Sequence, residues 1–248
     1  MRDTKAHRLD DILVARQLAT SKTQAKALIM AGLVFHKSTR LDKPGQKVSR
    51  NISICVRKKA HPWVSRGGVK LAHALQTFQI SVSGKICIDV GASTGGFTDV
   101  LLFNGAQKVY AIDSGTGQLD WKLRNNKRVI VHEKTNARYL TQLEIPERVG
   151  IITCDASFIS LRTILPTPLS FAENGSFLVA LIKPQFEAGR EHVGKGGVIR
   201  DPSIHTSVCK EVLKWLTTRS WSPLGIERSP IKGPKGNTEF LVAAKLKE

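Results

Sequence analysis

From Lys85 onward the chain alternates short apolar runs with helical ones, and this alternation limits the fold more than any other feature. "KICIDVGA" is a strand-like run that ends in glycine, and "GGFTDVLLFNGA" reads as a helix. "KVYAIDSG", "RVIVHEKTNA", "GIITCDASFISL" and "SFLVALIKPQ" read as further strands. "SIHTSVCKEVLKWLTTRSW" is an amphipathic helix and "EFLVAAKLK" a late strand. Repeated βα units predict an α/β, Rossmann-like domain: a mostly parallel, doubly wound sheet covered on both faces. Ligands of such sheets bind outside the carboxyl ends of the strands, so the polar residues that follow each strand carry the functional information.

The first strand runs straight into "DVGASTGGFTDV". Gly91, Gly95 and Gly96 permit a tight turn and close backbone approach. A helix that starts near Phe97 presents free amide donors at its N-terminus. Strand, glycine loop and helix in this order form a nucleoside-cofactor site, with Ser93, Thr94 and Phe97 in the same segment. The strict G-x-G-x-x-G spacing and the G-x-x-x-x-G-K-[ST] phosphate loop are both absent. Asp89, just ahead of the loop, opposes a pyrophosphate and suits a cationic group such as the amino group of S-adenosylmethionine. Asp113 ends the second strand, 24 residues beyond Asp89, where an acidic residue hydrogen-bonds ribose hydroxyls. Asn136, after the third strand, is the candidate partner for adenine.

Charge points to the other partner. The 248 residues contain 38 Lys plus Arg against 20 Asp plus Glu, a net +18 with pI near 10.1. Such an excess predicts a polyanion, most simply nucleic acid. The four cysteines (Cys55, Cys87, Cys154 and Cys209) form no CxxC pair, which argues against zinc and fits a reducing cytoplasm. No metal is expected. There is no 18-residue apolar span and no signal-peptide core, so no membrane association and a soluble, cytoplasmic protein are expected.

Residues 1–60 read differently. "RLDDILVARQLA" has helical spacing of Leu9, Ile12, Leu13 and Leu18. Ser21 with Gln24 forms a capping box ahead of a second helix whose buried stripe is Ala25, Leu28 and Ile29 and whose stop is Gly32. "LVFHK" and "ISICVRKK" are short extended pieces around the turn "DKPGQ". This stretch resembles the S-four-type RNA-binding module, with Lys22 where members carry arginine and "HKS" in place of the usual glycine turn. The resemblance implies that Arg8, Lys22, Lys26, Lys37 and Arg40 present cations to RNA. Residues 61–64, within the connector "RKKAHPWVSRGG", link this module to a second domain over 65–248, with Trp63 either packed at the junction or on the surface.

Four more polar residues fall near the rim of the expected sheet. Asp155 ends the fourth strand and Lys183 the fifth. Lys70 lies in "VSRGGVKLAHAL", a helix before the first strand, and Glu239 begins the late strand. Lysine is rarely buried, so Lys183 at the mouth of an apolar strand needs an explanation. "WVSRGGVKL", "DVGASTGGFTDVLL", "VYAID", "CDASFISL", "KPQFE" and "KGNTEF" resemble the TlyA family of ribosomal RNA 2′-O-methyltransferases, also called hemolysins. Their catalytic domain is similar to the FtsJ/RrmJ class I methyltransferases. The resemblance covers essentially the whole chain, with His61-Pro62-Trp63 where members often have Arg-x-Trp.

It implies S-adenosylmethionine as cofactor and ribosomal RNA or ribosomal subunits as substrate; no obligate protein partner is inferred. A catalytic Lys–Asp–Lys–Glu tetrad carries over to Lys70, Asp155, Lys183 and Glu239. Desolvation and a second cation both disfavour the charged form of an amine, which makes Lys183 the expected base. Lys70 would steady the developing alkoxide, Asp155 would orient the lysines, and Glu239 would hold the ribose or Lys70. The family further implies cytidine targets, on the large subunit and in some members the small one. The short tail after the last strand leans toward the large subunit. Rival readings are an RNA-binding protein with an inert methyltransferase fold, a membrane-lytic hemolysin, a base methyltransferase, and a pseudouridine synthase sharing the front module. "DASF" lacks the Asn-Pro-Pro-aromatic loop of amino-group enzymes. "FEAGREHVGKGGVIRD" is expected to be a mobile basic loop beside the site.

Overall fold

A computed structural model describes residues 6–30, 32–56, 61–194 and 196–247. It divides into two compact units, Met1–Pro62 and Trp63–Glu248. Residues 57–60 of the expected connector and Lys195 of the expected loop lie outside the described residues.

The first unit contains β1 (Ala6–Arg8), α1 (Leu9–Ala15), α2 (Lys22–Met30), β2 (Val34–His36), β3 (Thr39–Arg40), β4 (Lys47–Ser49) and β5 (Cys55–Val56). β1 pairs antiparallel with β4, and β3-β2-β5 form a small antiparallel sheet. The Ser21 hydroxyl accepts the Gln24 N–H at 3.1 Å. The Gln24 side chain accepts from the Thr20 hydroxyl at 2.7 Å, one residue earlier than a strict capping box would have it. Between β3 and β4, Gln46 N–H returns to the Lys43 carbonyl around Pro44-Gly45, the residue pair a tight turn favours. Leu9, Ile12, Leu13, Ala25, Ile29, Val34, Leu41 and Val48 form its core.

The second unit runs α3 (Gly67–Thr77), β6 (Ile86–Val90), α4 (Gly96–Phe103), β7 (Lys108–Ile112), α5 (Trp121–Arg124), β8 (Val129–His132), β9 (Val149–Cys154), α6 (Leu161–Ile164), α7 (Pro166–Leu169), β10 (Ala172–Ile182), α8 (Pro184–Glu187), α9 (Pro202–Thr217), β11 (Trp221–Arg228) and β12 (Phe240–Leu246). The sheet order is β11-β12-β10-β9-β6-β7-β8. Neighbours from β8 to β10 pair in parallel, while β12 runs antiparallel to β10 and β11. Apolar residues on both faces of the central strands fill two core clusters, as a sheet covered on both sides requires. Trp63 packs into one of them, edge-on to Phe103 with ring centroids 5.2 Å apart.

Two elements differ from the sequence reading. The C-terminal helix stops at Thr217, and Ser220 adopts φ 64°. Trp221, expected on the helix, instead opens β11 and is buried. β11 itself has no counterpart in the sequence reading: Pro223 and Gly225 interrupt its apolar pattern, and the structure places its register shift between them. β10 starts at Ala172, ahead of the expected Ser176, with a register irregularity between Ala172 and Phe177.

Candidate active site

Strand order reverses between β6 and β9, and a crevice opens beyond their carboxyl ends, where doubly wound sheets take ligands. The loops after these two strands nearly touch. A side chain on Gly91 would bring its Cβ within 3.0 Å of the Ala156 backbone, and its φ of 78° favours glycine in any case. The Asp155 N–H donates to the Val90 carbonyl at 3.0 Å and ties the two loops together.

Two cavities meet here. One, of about 470 Å³, is lined by Gly91, Ser93, Asp113, Gln118, Asn136 and Phe158 among others. The second, of about 510 Å³, takes in Arg66, Lys70, Thr94, Phe97, Lys183 and Lys232. Gly91, Ser93, Asp155 and Ser157 line both.

The first cavity has the features of a nucleoside pocket. Asp113 accepts from the backbone of Ser93 and of Gly115, each at 2.7 Å, which fixes the carboxylate at the rim. Asn136 uses its side-chain oxygen to cap the turn at Arg138, at 3.1 Å, and its amide nitrogen has no partner among the described residues. Asp89 departs from its expected place. It is fully buried beneath the loop, lines neither cavity, and accepts from the Thr98 and Thr153 hydroxyls at 2.7 and 2.9 Å. Desolvation pushes its carboxyl up to about 6. Its observed contacts brace the loop from below. Gly95 precedes α4, and Gly96 opens α4 and lines the second cavity with Phe97.

The second cavity holds the four charged residues together. Lys183 follows β10, and Pro184 begins α8 directly after it. A residue before proline is driven to extended backbone; Lys183 has φ −111°, ψ 99°. The lysine therefore completes the strand and is held at its mouth, 6% exposed. Its Nζ lies 2.6 Å from Asp155 Oδ1 and donates to Ser157 Oγ at 2.9 Å. Lys70, on the first turn of α3 and 7% exposed, donates to Glu239 Oε2 at 2.7 Å and lies 3.6 Å from Asp155 Oδ2. Glu239, just ahead of β12, is 1% exposed. Two cations and two carboxylates thus form one chain, Lys183–Asp155–Lys70–Glu239, with Asp155 as its hinge. Each buried charge has an opposite charge beside it, the condition under which burial is tolerated.

Ser157, Gln118, Arg66 and Phe158 escape the sequence reading. Ser157 sits two residues past Asp155, so the "CDASF" spacing carries its signal. Phe158 is 90% exposed with φ 65°, and its ring lies 5.1 Å from Phe186. Its one sequence signal is an aromatic in a strand-end loop.

In the first unit the expected RNA-facing cations separate. Arg8 is engaged with buried Asp10 by two contacts, at 3.0 and 2.8 Å. Lys22 pairs with Asp11 at 2.7 Å, and Arg40 lies 4.0 Å from Asp42. Lys26 and Lys37 are exposed and have no ion pair among the described residues. Lys37 occupies the β2–β3 turn with φ 53°. Cys87 and Cys154 are buried, with thiols pushed up by desolvation, and Cys55, Cys87, Cys154 and Cys209 are all free. No group of metal-ligating side chains occurs among the described residues.

Sheet order, glycine loop and paired cavities define a methyltransferase of Rossmann-like fold, and the FtsJ-like methyltransferase model matches residues 63–246. The chain belongs to this FtsJ-like methyltransferase family, in the TlyA group. YqxC of Bacillus subtilis (strain 168) is 48% identical over 96% of this chain and 85% of its own length. The 16S/23S rRNA (cytidine-2′-O)-methyltransferase TlyA of Mycobacterium tuberculosis is 45% identical over 95% and 88%. A solved structure of a hemolysin-type protein from Streptococcus thermophilus superposes with a TM-score of 0.76 at 43% identity, covering 98% of this chain and 89% of that one.

Proposed function

We propose that this protein transfers a methyl group from S-adenosylmethionine to a ribose 2′-hydroxyl of ribosomal RNA, at cytidine, and works in the cytoplasm. The observation that carries the reading is the Lys183–Asp155–Lys70–Glu239 chain at the junction of two cavities. The first cavity suits the cofactor: Asp113 for the ribose, Asn136 for the base, and Gly91 and Ser93 along the backbone. When bound there, the cofactor supplies an electrophilic methyl on a sulfonium.

The weak step is deprotonation of the ribose hydroxyl. Lys183 Nζ is the base that takes that proton, with Asp155 2.6 Å away to hold the lysine head in place. Lys70 faces the developing alkoxide and lowers its energy electrostatically, while Glu239 fixes the Lys70 head. The oxygen freed of its proton would be the nucleophile for the methyl group that the cofactor supplies. Alignment of the two reactants is the remaining requirement, and the shared wall of Gly91, Ser93, Asp155 and Ser157 lies where they would meet.

Exposed Phe158 at the rim offers a face for a base. The first unit, with the S-four-type pattern and exposed Lys26 and Lys37, is read as an RNA-capture module. The name of the Mycobacterium tuberculosis relative supports cytidine and ribosomal RNA as the target. Among the described residues no helix is long and apolar enough to cross a membrane.

The test is incubation with ribosomal subunits and methyl-labelled S-adenosylmethionine, followed by nucleoside mass spectrometry. Label in 2′-O-methylcytidine is expected. Label on a base, or no transfer to subunits or free ribosomal RNA, would overturn the reading.

A further inference from the structure

Beyond the catalytic cavity lie two further openings. One, of about 360 Å³, is lined by Arg200, Lys232, Lys235 and Thr238. The other, of about 530 Å³ and floored by Leu213, Ile226 and Phe240, carries Arg200, Lys210 and Arg228. They share Arg200, His205 and Thr238, and Lys232 also lines the catalytic cavity. The three openings are therefore consecutive, linked by common walls.

Their charge is one-sided. Among the described residues no carboxylate lines either of the outer two. None of Arg200, Lys210, Arg228, Lys232 and Lys235 has an ion pair among the described residues. Asp201, next to Arg200, is engaged elsewhere, capping α9 by accepting the Ser203 N–H at 2.8 Å. In other parts of this unit cations do find acids, as Lys108 finds Glu147 and Arg124 finds Glu133. Unpaired cations above an apolar floor fit an anionic polymer with apolar planar groups between its charges. A single nucleic-acid strand has that chemistry: phosphates meet the cations and bases meet the floor.

We propose that the RNA strand continues from the catalytic cavity past Lys232 and Arg200 into the groove of Lys210 and Arg228, making this a second binding surface on the methyltransferase unit. The proposal rests on the RNA-methylation reading for its substrate. Continuity with the catalytic cavity favours RNA over an acidic protein segment.

The test uses the full chain with Arg200→Gln, Lys210→Gln and Arg228→Gln combined. All three side chains are exposed, so the fold should survive; single Lys210→Gln and Arg228→Gln variants serve if the triple one does not. Affinity for a fluorescein-labelled single-stranded RNA is measured across a salt series, beside cofactor binding. Each phosphate contact contributes roughly 0.7 to the salt slope for single strands. The triple variant should therefore lose about two units of slope and bind at least ~10-fold more weakly at low salt, and each single variant about 0.7. Cofactor binding should not change. A slope equal to wild type sinks the track and leaves methylation standing, and would leave an acidic segment as the occupant to test. Failure of wild-type methylation sinks the proposed function, yet the salt series still reads the track because it needs no turnover.

Discussion

The two units use the same side chain in opposite electrical settings. In the first, Lys26 and Lys37 stand in solvent, and Lys22 pairs with Asp11 where both are about half exposed. In the second, Lys70 and Lys183 are almost fully buried, and each lies against carboxylates that are themselves largely covered. Solvent-exposed charges interact weakly and are screened by salt. Buried ones interact strongly, and removing one partner leaves the other stranded. The first arrangement suits long-range attraction to a polyanion, and the second suits fixed positions around a reacting atom.

The comparison breaks if buried and exposed lysines prove equally dispensable. Lys70→Ala should lower the rate of methyl transfer by up to about 10³-fold, the loss typical of one preorganised stabiliser of developing negative charge. Single-turnover kinetics with saturating RNA and cofactor is the readout. Gly233→Ala comes next. A Cβ there would overlap Glu239 Oε1, so the carboxylate and the Lys70 it holds must shift. A displacement of about 1 Å costs on the order of 10²-fold, read as a fall in kcat with cofactor affinity unchanged.

The third test concerns stability. Asp89, raised to about 6 by burial, is protonated in the fold at low pH and ionises against its surroundings as pH rises. Its contribution to stability is thus full below its ordinary value near 3.9 and lost as pH passes about 6. Asp89→Asn cannot ionise. Relative to wild type, the variant should gain up to about 3 kcal/mol between pH 4 and pH 7, measured by denaturant unfolding. A gap independent of pH would show that burial does not act on this group. Smallest is the exposed pair: Lys26→Gln with Lys37→Gln should weaken RNA binding a few-fold and reduce the salt slope by about one to two units, with kcat unaltered.

The order of sheet elements, the glycine loop and the rim residues are legible in the sequence because each depends on short-range pattern. Strand runs are apolar, and the residues after them are polar. What is not legible depends on tertiary contact. Asp89 looks like a ligand residue from its place before the loop; only packing reveals Thr98 and Thr153 against it. β11 is hidden because Pro223 and Gly225 break alternation at a bulge. Trp221 fits a helical period, yet a left-handed Ser220 turns the chain into the sheet. The proximity of Glu239 to Lys70, far apart in sequence, follows from β12 inserting beside β10, which no local pattern encodes.

The central claim is that Lys183, held at the mouth of β10 against Asp155, removes the ribose proton. Lys183→Met keeps the apolar stem and deletes the amine. Single-turnover transfer to ribosomal RNA should fall by ~10² to 10⁴-fold, the range for a positioned base, while cofactor and RNA affinities stay at wild-type levels. A rate within about threefold of wild type would contradict the account.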